Sequence, residues 1–248
     1  MSEKEDLDDY KDAYGDDFKF TDENLGMLGA YADRMCRQLT RTGPIRLLSL
    51  GIGHNIVSRT IQQALGDKLK EYVIVEGSEV MISRYKEAES LPANVNVVQS
   101  WFEEYTPSEK FDVIEMGFVL EHVDDPAQIV GRFKNFLKPG GTLFMAVPNA
   151  RSLHRLIGHN AGLLDNLYRL SEHDLQLGHK RYFDCESFTQ LALNNGLKVV
   201  SVEGLFLKPV TTSQLTSLNL PDQVWQALYS GGAEFPAISN AILIEATV

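Results

Sequence analysis

The feature that most constrains the fold of this chain is an alternation of apolar runs with amphipathic segments from about residue 45 to residue 150. The apolar runs are almost continuous in branched residues, which is typical of strands buried on both faces of a sheet. Strands that alternate with helices pair in parallel, and their crossovers place helices on both faces. The sequence therefore predicts a doubly wound α/β fold.

The predicted strands are IRLLSLG, YVIVEG, VNVVQ, FDVIEMG and TLFMAVPN, with LKVVSVEG and AILIEATV near the end of the chain. The predicted helices between them are IVSRTIQQALG, EVMISRYKEAES and PAQIVGRFKNFLKPGG, with a further helix near residues 187–195. About 35 residues after Asn149 show no clear period. This stretch, 150–183, predicts an elaboration of the domain.

Composition narrows the class of protein. The chain has 248 residues and a formal net charge of −11, with only two cysteines. The length suits one large domain, and the acidic charge disfavours binding to nucleic acid or to anionic membranes. The polar start and the absence of an apolar run of about 20 residues predict a soluble, cytoplasmic protein without a membrane span.

The first part of the chain differs from the rest. Residues 1–24 contain ten acidic residues and three lysines, a composition that predicts a partly flexible N-terminal arm. Its aromatic residues, among them Tyr10 and Tyr14, suit a lid. Helical spacing of apolar residues predicts a helix over 25–39, and residues 25–248 are predicted to form a single domain.

Two of the predicted strand ends carry residues suited to a ligand. Gly51 and Gly53 follow the first strand, where glycines let a backbone approach a ligand closely. Glu76 ends the second strand, where a carboxylate can accept both hydroxyls of a ribose. A dinucleotide fingerprint would need a third glycine where Ile56 stands, and the chain has no phosphate-binding P-loop sequence. The pattern therefore indicates a nucleoside without a pyrophosphate.

With these residues the sequence resembles the class I, Rossmann-like, S-adenosylmethionine-dependent methyltransferases. The resemblance rests on LLSLGIGHN, VIVEGS, FDVIEMGFVLEHVDDP and LKPGGTLFMAVPN, within about residues 45–150. It implies S-adenosyl-L-methionine as the cofactor and a seven-stranded sheet whose last strand runs antiparallel. The cofactor contacts that the resemblance implies are Ser49, Gly51, Gly53, His54, Glu76, Gly77, Ser100, Trp101, Phe102, Met116, Gly117 and, from the arm, Tyr14.

The chain departs from the family pattern in three places. The family usually has an acid where Ser49 stands and a glycine where Asn55 stands. Gln99 and Ser100 occupy the place of an acidic residue beside the adenine. Ser49 can hydrogen-bond the amino group of the cofactor, but it cannot pair with the charge of that group.

Candidate catalytic residues lie in two loops. His122 follows the fourth strand, where the transferring methyl is expected, and His179 lies in GHKRYFD; either could serve as a base or orient the substrate. The alternative for His122 is a histidine that anchors the loop before the next helix, and the alternative for His179 is a solvated helical face with its own salt bridges. Asp125 followed by Pro126 is typical of a helix start, so no metal site is predicted there or elsewhere.

Positive charge is concentrated in the stretch 150–183. It holds five lysines and arginines against three acids, and four of the six histidines of the chain. Such an island favours an acceptor that carries a carboxylate or a phosphate, although a solvated helical face or a dimer contact would have the same composition. The predicted substrate contacts are Asn149, His154, Arg181 and Tyr182.

Together these features predict transfer of a methyl group from S-adenosylmethionine to an oxygen of a small anionic metabolite, with nitrogen as the alternative acceptor atom. The partner is then a small molecule, with a homodimer as an option. The alternatives are a non-catalytic module that binds the cofactor and a nicotinamide dehydrogenase. Methylation of RNA or protein is disfavoured by the acidic charge and by EMGF after the fourth strand.

Overall fold

A computed structural model describes residues 21–39 and 43–248, which form a seven-stranded sheet with helices on both faces. The strands are β1 (Ile45–Leu50), β2 (Leu69–Glu76), β3 (Val95–Gln99), β4 (Phe111–Gly117), β5 (Leu137–Pro148), β6 (Lys198–Leu205) and β7 (Ala241–Thr247). The helices are α1 (Thr21–Leu39), α2 (Asn55–Leu65), α3 (Glu79–Ala88), α4 (Pro126–Lys134), α5 (Leu153–Asn160), α6 (Glu172–Gln176), α7 (Cys185–Asn194), α8 (Thr212–Ser217) and α9 (Asp222–Gly231). Single 3₁₀ turns cover Gly66–Lys68 and Gly232–Glu234.

The strand order is β3-β2-β1-β4-β5-β7-β6. Strands β1 to β5 pair in parallel, and β7 runs antiparallel to both β5 and β6. The predicted fold class, including the antiparallel last strand, is confirmed. The direction of the winding reverses between β1 and β4, and at such a switch point the carboxyl ends of the strands leave a crevice for a ligand.

The alternation of side chains along each strand produces two cores. Leu48 and Ile114 face one apolar cluster, which α4 and α7 cover, whereas Leu47 and Val113 face the other, which α1, α2 and α3 cover. Burial on both faces explains why the strands read as continuous apolar runs. A third, smaller cluster around Phe206 joins α8 and α9 to the end of β6.

Most predicted elements form at or near their predicted positions. Gly66, at a φ of 48°, ends α2, and the carboxylate of Asp125 caps α4 by accepting the Gln128 N–H at 3.0 Å, with Pro126 in the first turn. Helix α1 begins at Thr21 and therefore includes the last residues assigned to the arm. Tyr10 and Tyr14 lie outside the described residues.

One predicted boundary is wrong. The helix expected in PAQIVGRFKNFLKPGG, as far as its stop signal, already ends at Lys134, and β5 begins at Leu137, which pairs with Phe111 across a register shift. Because Leu137 pairs with β4, the residues just before Gly140 and Gly141 belong to β5 and not to α4. Within residues 21–39 and 43–248, no helix combines the length and the apolar character needed to cross a membrane.

Candidate active site

The turn after β1 is a backbone cradle. Gly51 and Gly53 have φ values of 79° and 51°, in the left-handed region that favours glycine. The Gly51 N–H donates to the Val75 carbonyl at 2.8 Å, which ties the turn to the end of β2. A Cβ on Gly53 would meet nothing within 4 Å, so this side of the turn is open.

Glu76 holds the ends of β1 and β2 together. One carboxylate oxygen accepts the Ile52 N–H at 3.0 Å, and the other accepts the Ser78 N–H at 2.8 Å. Each oxygen keeps a lone pair, so the carboxylate can still accept the hydroxyls of a ribose. Gly77 lies between these contacts, at the same edge of the sheet. His54 has a local role, because its Nδ1 accepts the Ile56 N–H at 3.1 Å and caps α2.

The end of β3 supplies an aromatic wall. The Ser100 N–H donates to the Glu76 carbonyl at 2.9 Å, and the Ser100 hydroxyl donates to the Trp101 carbonyl at 3.0 Å. The Phe102 ring lies 4.0 Å from the position that a Cβ on Gly51 would take. The structure therefore brings the ends of β1, β2 and β3 to one crevice.

Three predicted contacts near β1 and β4 form the floor of this crevice. Ser49 and Met116 are buried, and the Ser49 hydroxyl lies 2.8 Å from the Tyr72 hydroxyl. Gly117 has no room for a side chain, because a Cβ there would lie 2.5 Å from the Tyr31 ring of α1. Burial gives Ser49 and Met116 a supporting position beneath the crevice.

An acid–base cluster follows β4. The His122 and His179 rings meet edge to face with centroids 4.8 Å apart, and Glu121 is buried beside them. Burial raises the pKa of Glu121 to about 7, while burial and the neighbouring His179 lower the pKa of His122 to about 3. Glu121 Oε2 has no hydrogen-bond partner among the described residues. The cluster can accept and exchange a proton near neutral pH.

Residues 178–181 are clamped to the turn that carries His122. The Arg181 guanidinium donates to the carbonyls of Leu120, Val123 and Asp124. The Lys180 N–H donates to the Glu121 carbonyl at 2.8 Å, and the Lys180 ammonium pairs with Asp124 at 2.7 Å. These contacts bring the two predicted catalytic histidines together, although they are far apart in the sequence.

A second layer lies behind His179. Its Nδ1 is 3.3 Å from Asp174 Oδ1, and that carboxylate also accepts the Tyr182 hydroxyl at 3.0 Å. Burial would raise the pKa of Asp174, but hydrogen bonds from His179 and Ser171 lower it overall. The Arg155 guanidinium stacks 4.3 Å over the Tyr182 ring and donates to backbone carbonyls. Tyr182 therefore supports the cluster from behind.

The remaining predicted substrate residues have different surroundings. The Asn149 amide is buried and donates to the Ser239 carbonyl at 2.9 Å, while its oxygen accepts the Arg151 N–H at 2.9 Å, as expected for a residue that fixes a loop. Nδ1 of His154 is buried and has no hydrogen-bond partner in the described part of the chain. Burial, and to a smaller extent the positive charge of Lys208, lowers the pKa of His154 to about 3. Lys208 pairs with Glu23 of α1 at 2.6 Å. The assignment of these residues to substrate stays a prediction.

Comparison with known proteins assigns the family. Residues 27–202 match a family model described as a methyltransferase domain. The chain belongs to this methyltransferase family.

Similar proteins agree with this assignment. The methyltransferase is 28% identical over 182 residues to a ubiquinone biosynthesis O-methyltransferase of Coxiella burnetii (strain Dugway 5J108-111), over 70% of this chain and 72% of the relative. An S-adenosylmethionine-dependent methyltransferase of Mesorhizobium loti has the same fold, with a TM-score of 0.57, 16% identity, and 82% and 91% of the two chains covered. A methyltransferase in complex with the Haloferax volcanii Trm112 activator superposes with a TM-score of 0.63 at 13% identity over 99% of each chain.

The methyl donor of this family is S-adenosylmethionine, and the crevice fits it. The positive φ values at Gly51 and Gly53 leave a cradle that a Cβ would fill. Glu76 offers carboxylate oxygens that can accept hydroxyls, and the Phe102 ring lies near Gly51. The predicted enzyme class and cofactor are confirmed, whereas the individual contacts stay predictions.

The same structure identifies residues that sequence reasoning missed. The sequence predicts no role for Glu121, although FDVIEMGFVLEHVDDP contains it, and Asp174 contributes only to the charge of the stretch 150–183. A signal for Asp174 existed, because Ser171 and Asp174 form a capping box at the start of α6. Ligand atoms of Glu121, His122 and His179 lie within 4.8 Å of one another, so this trio has the spacing to hold a divalent cation. The expectation that the protein uses no metal stays a prediction.

Proposed function

We propose that this methyltransferase transfers a methyl group to a hydroxyl oxygen of a small molecule. The observation that carries the proposal is the buried cluster of Glu121, His122 and His179, which follows β4 beside the cofactor crevice. A hydroxyl must lose its proton when its oxygen is methylated, and Glu121, whose pKa burial raises to about 7, suits this step. Relatives at 28% and 29% identity are named as O-methyltransferases, which supports oxygen over nitrogen.

When bound, the cofactor supplies a methyl group on a sulfonium, and its displacement is an in-line reaction that depends on alignment. His122 is neutral at pH 7 and can accept a hydrogen bond from the acceptor hydroxyl. Asp174 orients His179 through its Nδ1. With its pKa of about 7, Glu121 can take up the proton that the histidines receive. The proton thus moves from the hydroxyl into the cluster as the hydroxyl oxygen replaces the cofactor sulfur on the methyl group, and the sulfur keeps the electron pair of the broken bond.

The proposal covers acceptor hydroxyls on quinone-precursor rings, because the relatives act in ubiquinone biosynthesis by name. The proposal does not include a negative charge on the acceptor as a requirement for binding. Arg155 and Arg181 donate to backbone carbonyls, and Lys180 and Lys208 pair with carboxylates. Many of the positively charged side chains in and near the stretch 150–183 therefore bind carbonyls and carboxylates of the protein itself.

A methyl-transfer assay with matched acceptors tests the proposal. Purified protein and radiolabelled donor are incubated with a panel of hydroxylated benzoates and catechols, the same compounds with the hydroxyl already methylated, and the corresponding anilines. We expect label only in compounds with a free hydroxyl, recovered as the methyl ether. Label in the anilines alone would contradict O-methylation and would support an N-methyltransferase.

A further inference from the structure

A second buried carboxylate, Glu115, lies on β4 at the switch point of the sheet. Its strand neighbour across the β1–β4 pair is Ser49, in register. One Glu115 oxygen accepts the Tyr31 hydroxyl at 2.8 Å and the Gly117 N–H at 3.0 Å. Glu115 therefore lies directly beneath the crevice floor, joined to it through Gly117.

The surroundings of Glu115 carry no compensating charge. The groups around it are Tyr31 and Cys36 on α1, Ser49 on β1 and Tyr72 on β2, all neutral at pH 7. Within residues 21–39 and 43–248, no lysine, arginine or histidine forms an ion pair with it. Buried carboxylates are ordinarily paired with a cation, because an isolated buried charge is strongly destabilising.

The hydrogen bonds nonetheless favour the ionised form. A backbone N–H can only donate, so Gly117 requires an acceptor oxygen, and the Tyr31 hydroxyl donates to the same atom. Burial raises the pKa of Glu115 overall, although the bonds from Gly117 and Tyr31 lower it in part, so a neighbouring positive charge is needed to hold the side chain ionised. The site thus holds a carboxylate ready for a positive charge that the protein itself does not provide.

We propose that Glu115 is the buried countercharge for a positive charge of the bound cofactor. S-adenosylmethionine carries two such charges, the sulfonium and the ammonium of its methionine part, and a ligand in the crevice lies above the carboxyl ends of β1 and β4. The attraction between the Glu115 carboxylate and a positive charge of the cofactor is stronger in the low-dielectric interior beneath the crevice than it would be in water. Ser49, which holds the place of the usual family acid, lies beside Glu115. The carboxylate is therefore on the neighbouring strand, and Glu115 is a positioning residue for cofactor binding.

Calorimetric titration with three ligands tests this assignment without reference to methyl transfer. S-adenosylmethionine carries both charges, S-adenosylhomocysteine carries only the ammonium, and 5′-methylthioadenosine carries neither. We expect Glu115→Gln to weaken binding of S-adenosylmethionine about tenfold and to leave 5′-methylthioadenosine within twofold. A parallel loss for S-adenosylhomocysteine assigns the countercharge to the ammonium, and no such loss assigns it to the sulfonium.

Equal losses for all three ligands, or unchanged binding of S-adenosylmethionine, would overturn the proposal. Glu245→Gln, on β7 and away from the crevice, is the matched acid-to-amide control. In Ser49→Asp/Glu115→Gln the carboxylate is moved to β1, and we expect the affinity for S-adenosylmethionine to return to within about threefold of the native value. If Glu115→Gln alone does not fold, this exchange variant is compared with Ser49→Asn/Glu115→Gln, which has no carboxylate at this point. Failure of the O-methylation assay would leave these binding results unaffected.

Discussion

The two sides of the crevice are built in different ways. The donor side, at the ends of β1, β2 and β3, consists mainly of backbone groups, glycines and one carboxylate, Glu76, within short local sequences. The acceptor side joins the turn after β4 to residues 178–181 through side chains such as Arg181, with Asp174 behind them. A cofactor that a whole family shares can be bound by residues close together in the sequence. An acceptor that differs between enzymes can be bound by residues that are far apart in the sequence and come together only in the fold.

This difference predicts that variants on the two sides affect different measurements. Donor-side changes should alter cofactor affinity, and acceptor-side changes should alter turnover or the integrity of the β4 turn.

Replacement of His122 should separate chemistry from cofactor binding most clearly. We expect His122→Ala to lower turnover by about a hundredfold or more, because positioned acid–base groups contribute on that scale. The dissociation constant for S-adenosylmethionine, measured by calorimetry, should stay within twofold. His159→Ala, at an exposed position on α5, is the control. Native turnover in His122→Ala would leave His122 with a structural role only.

Ionisation of Glu121 should make the folded acceptor side less stable at higher pH. Its pKa is raised from 4.5 to about 7, so the unfolded chain ionises first as the pH rises above 4.5, and the folded state loses stability until about pH 7. Because Glu121→Gln cannot ionise, its free energy of unfolding relative to that of the native protein should rise by about 3 kcal/mol between pH 5 and pH 8. Urea unfolding at both pH values measures this gain. The exposed Glu103→Gln is the control, and parallel pH curves for Glu121→Gln and native protein would argue against a raised pKa.

Loss of Glu76 should give the reverse pattern of the His122 variant. We expect Glu76→Ala to weaken S-adenosylmethionine binding by about ten- to hundredfold, since a carboxylate that accepts hydroxyls contributes about 1.5–3 kcal/mol. Turnover at saturating donor should change much less. Glu79→Ala, exposed in the first turn of α3, is the control. An unchanged dissociation constant would remove Glu76 from the cofactor site.

The smallest effect concerns Arg181, for which the sequence and the structure indicate different roles. The sequence predicts that Arg181 binds an anionic acceptor, so that its loss raises the KM. The structure engages the guanidinium with three carbonyls of the β4 turn, so we expect Arg181→Ala to lower the free energy of unfolding by about 1–2 kcal/mol. Arg169→Ala, exposed and paired with Asp165, should change stability by less than about 0.5 kcal/mol. A raised acceptor KM at native stability would restore the predicted role.

Local sequence predicts which residues lie at the strand ends of the proposed donor side, because these features depend on backbone conformation within single turns. Gly51, Gly53 and Glu76 each follow a strand that the apolar pattern already indicates. His54 shows the limit of this reasoning, since only the structure reveals that its imidazole caps α2. The predictions of a homodimer, of no binding to nucleic acid and of a cytoplasmic location concern other molecules or surroundings, and they stay predictions.

By itself, the order of apolar runs predicted the doubly wound sheet, and the residues at the strand ends predicted where the cofactor binds, because burial and turn geometry act over short stretches of chain. Only the tertiary structure decided that Glu121, His122, His179 and Asp174 form one cluster and that the positive charge of the stretch 150–183 is largely used within the fold. It also placed Glu115 beside Ser49 without a cation. The physical reason is that the pKa of a buried group and the partners of its charge depend on strand order and on packing between residues far apart in the sequence.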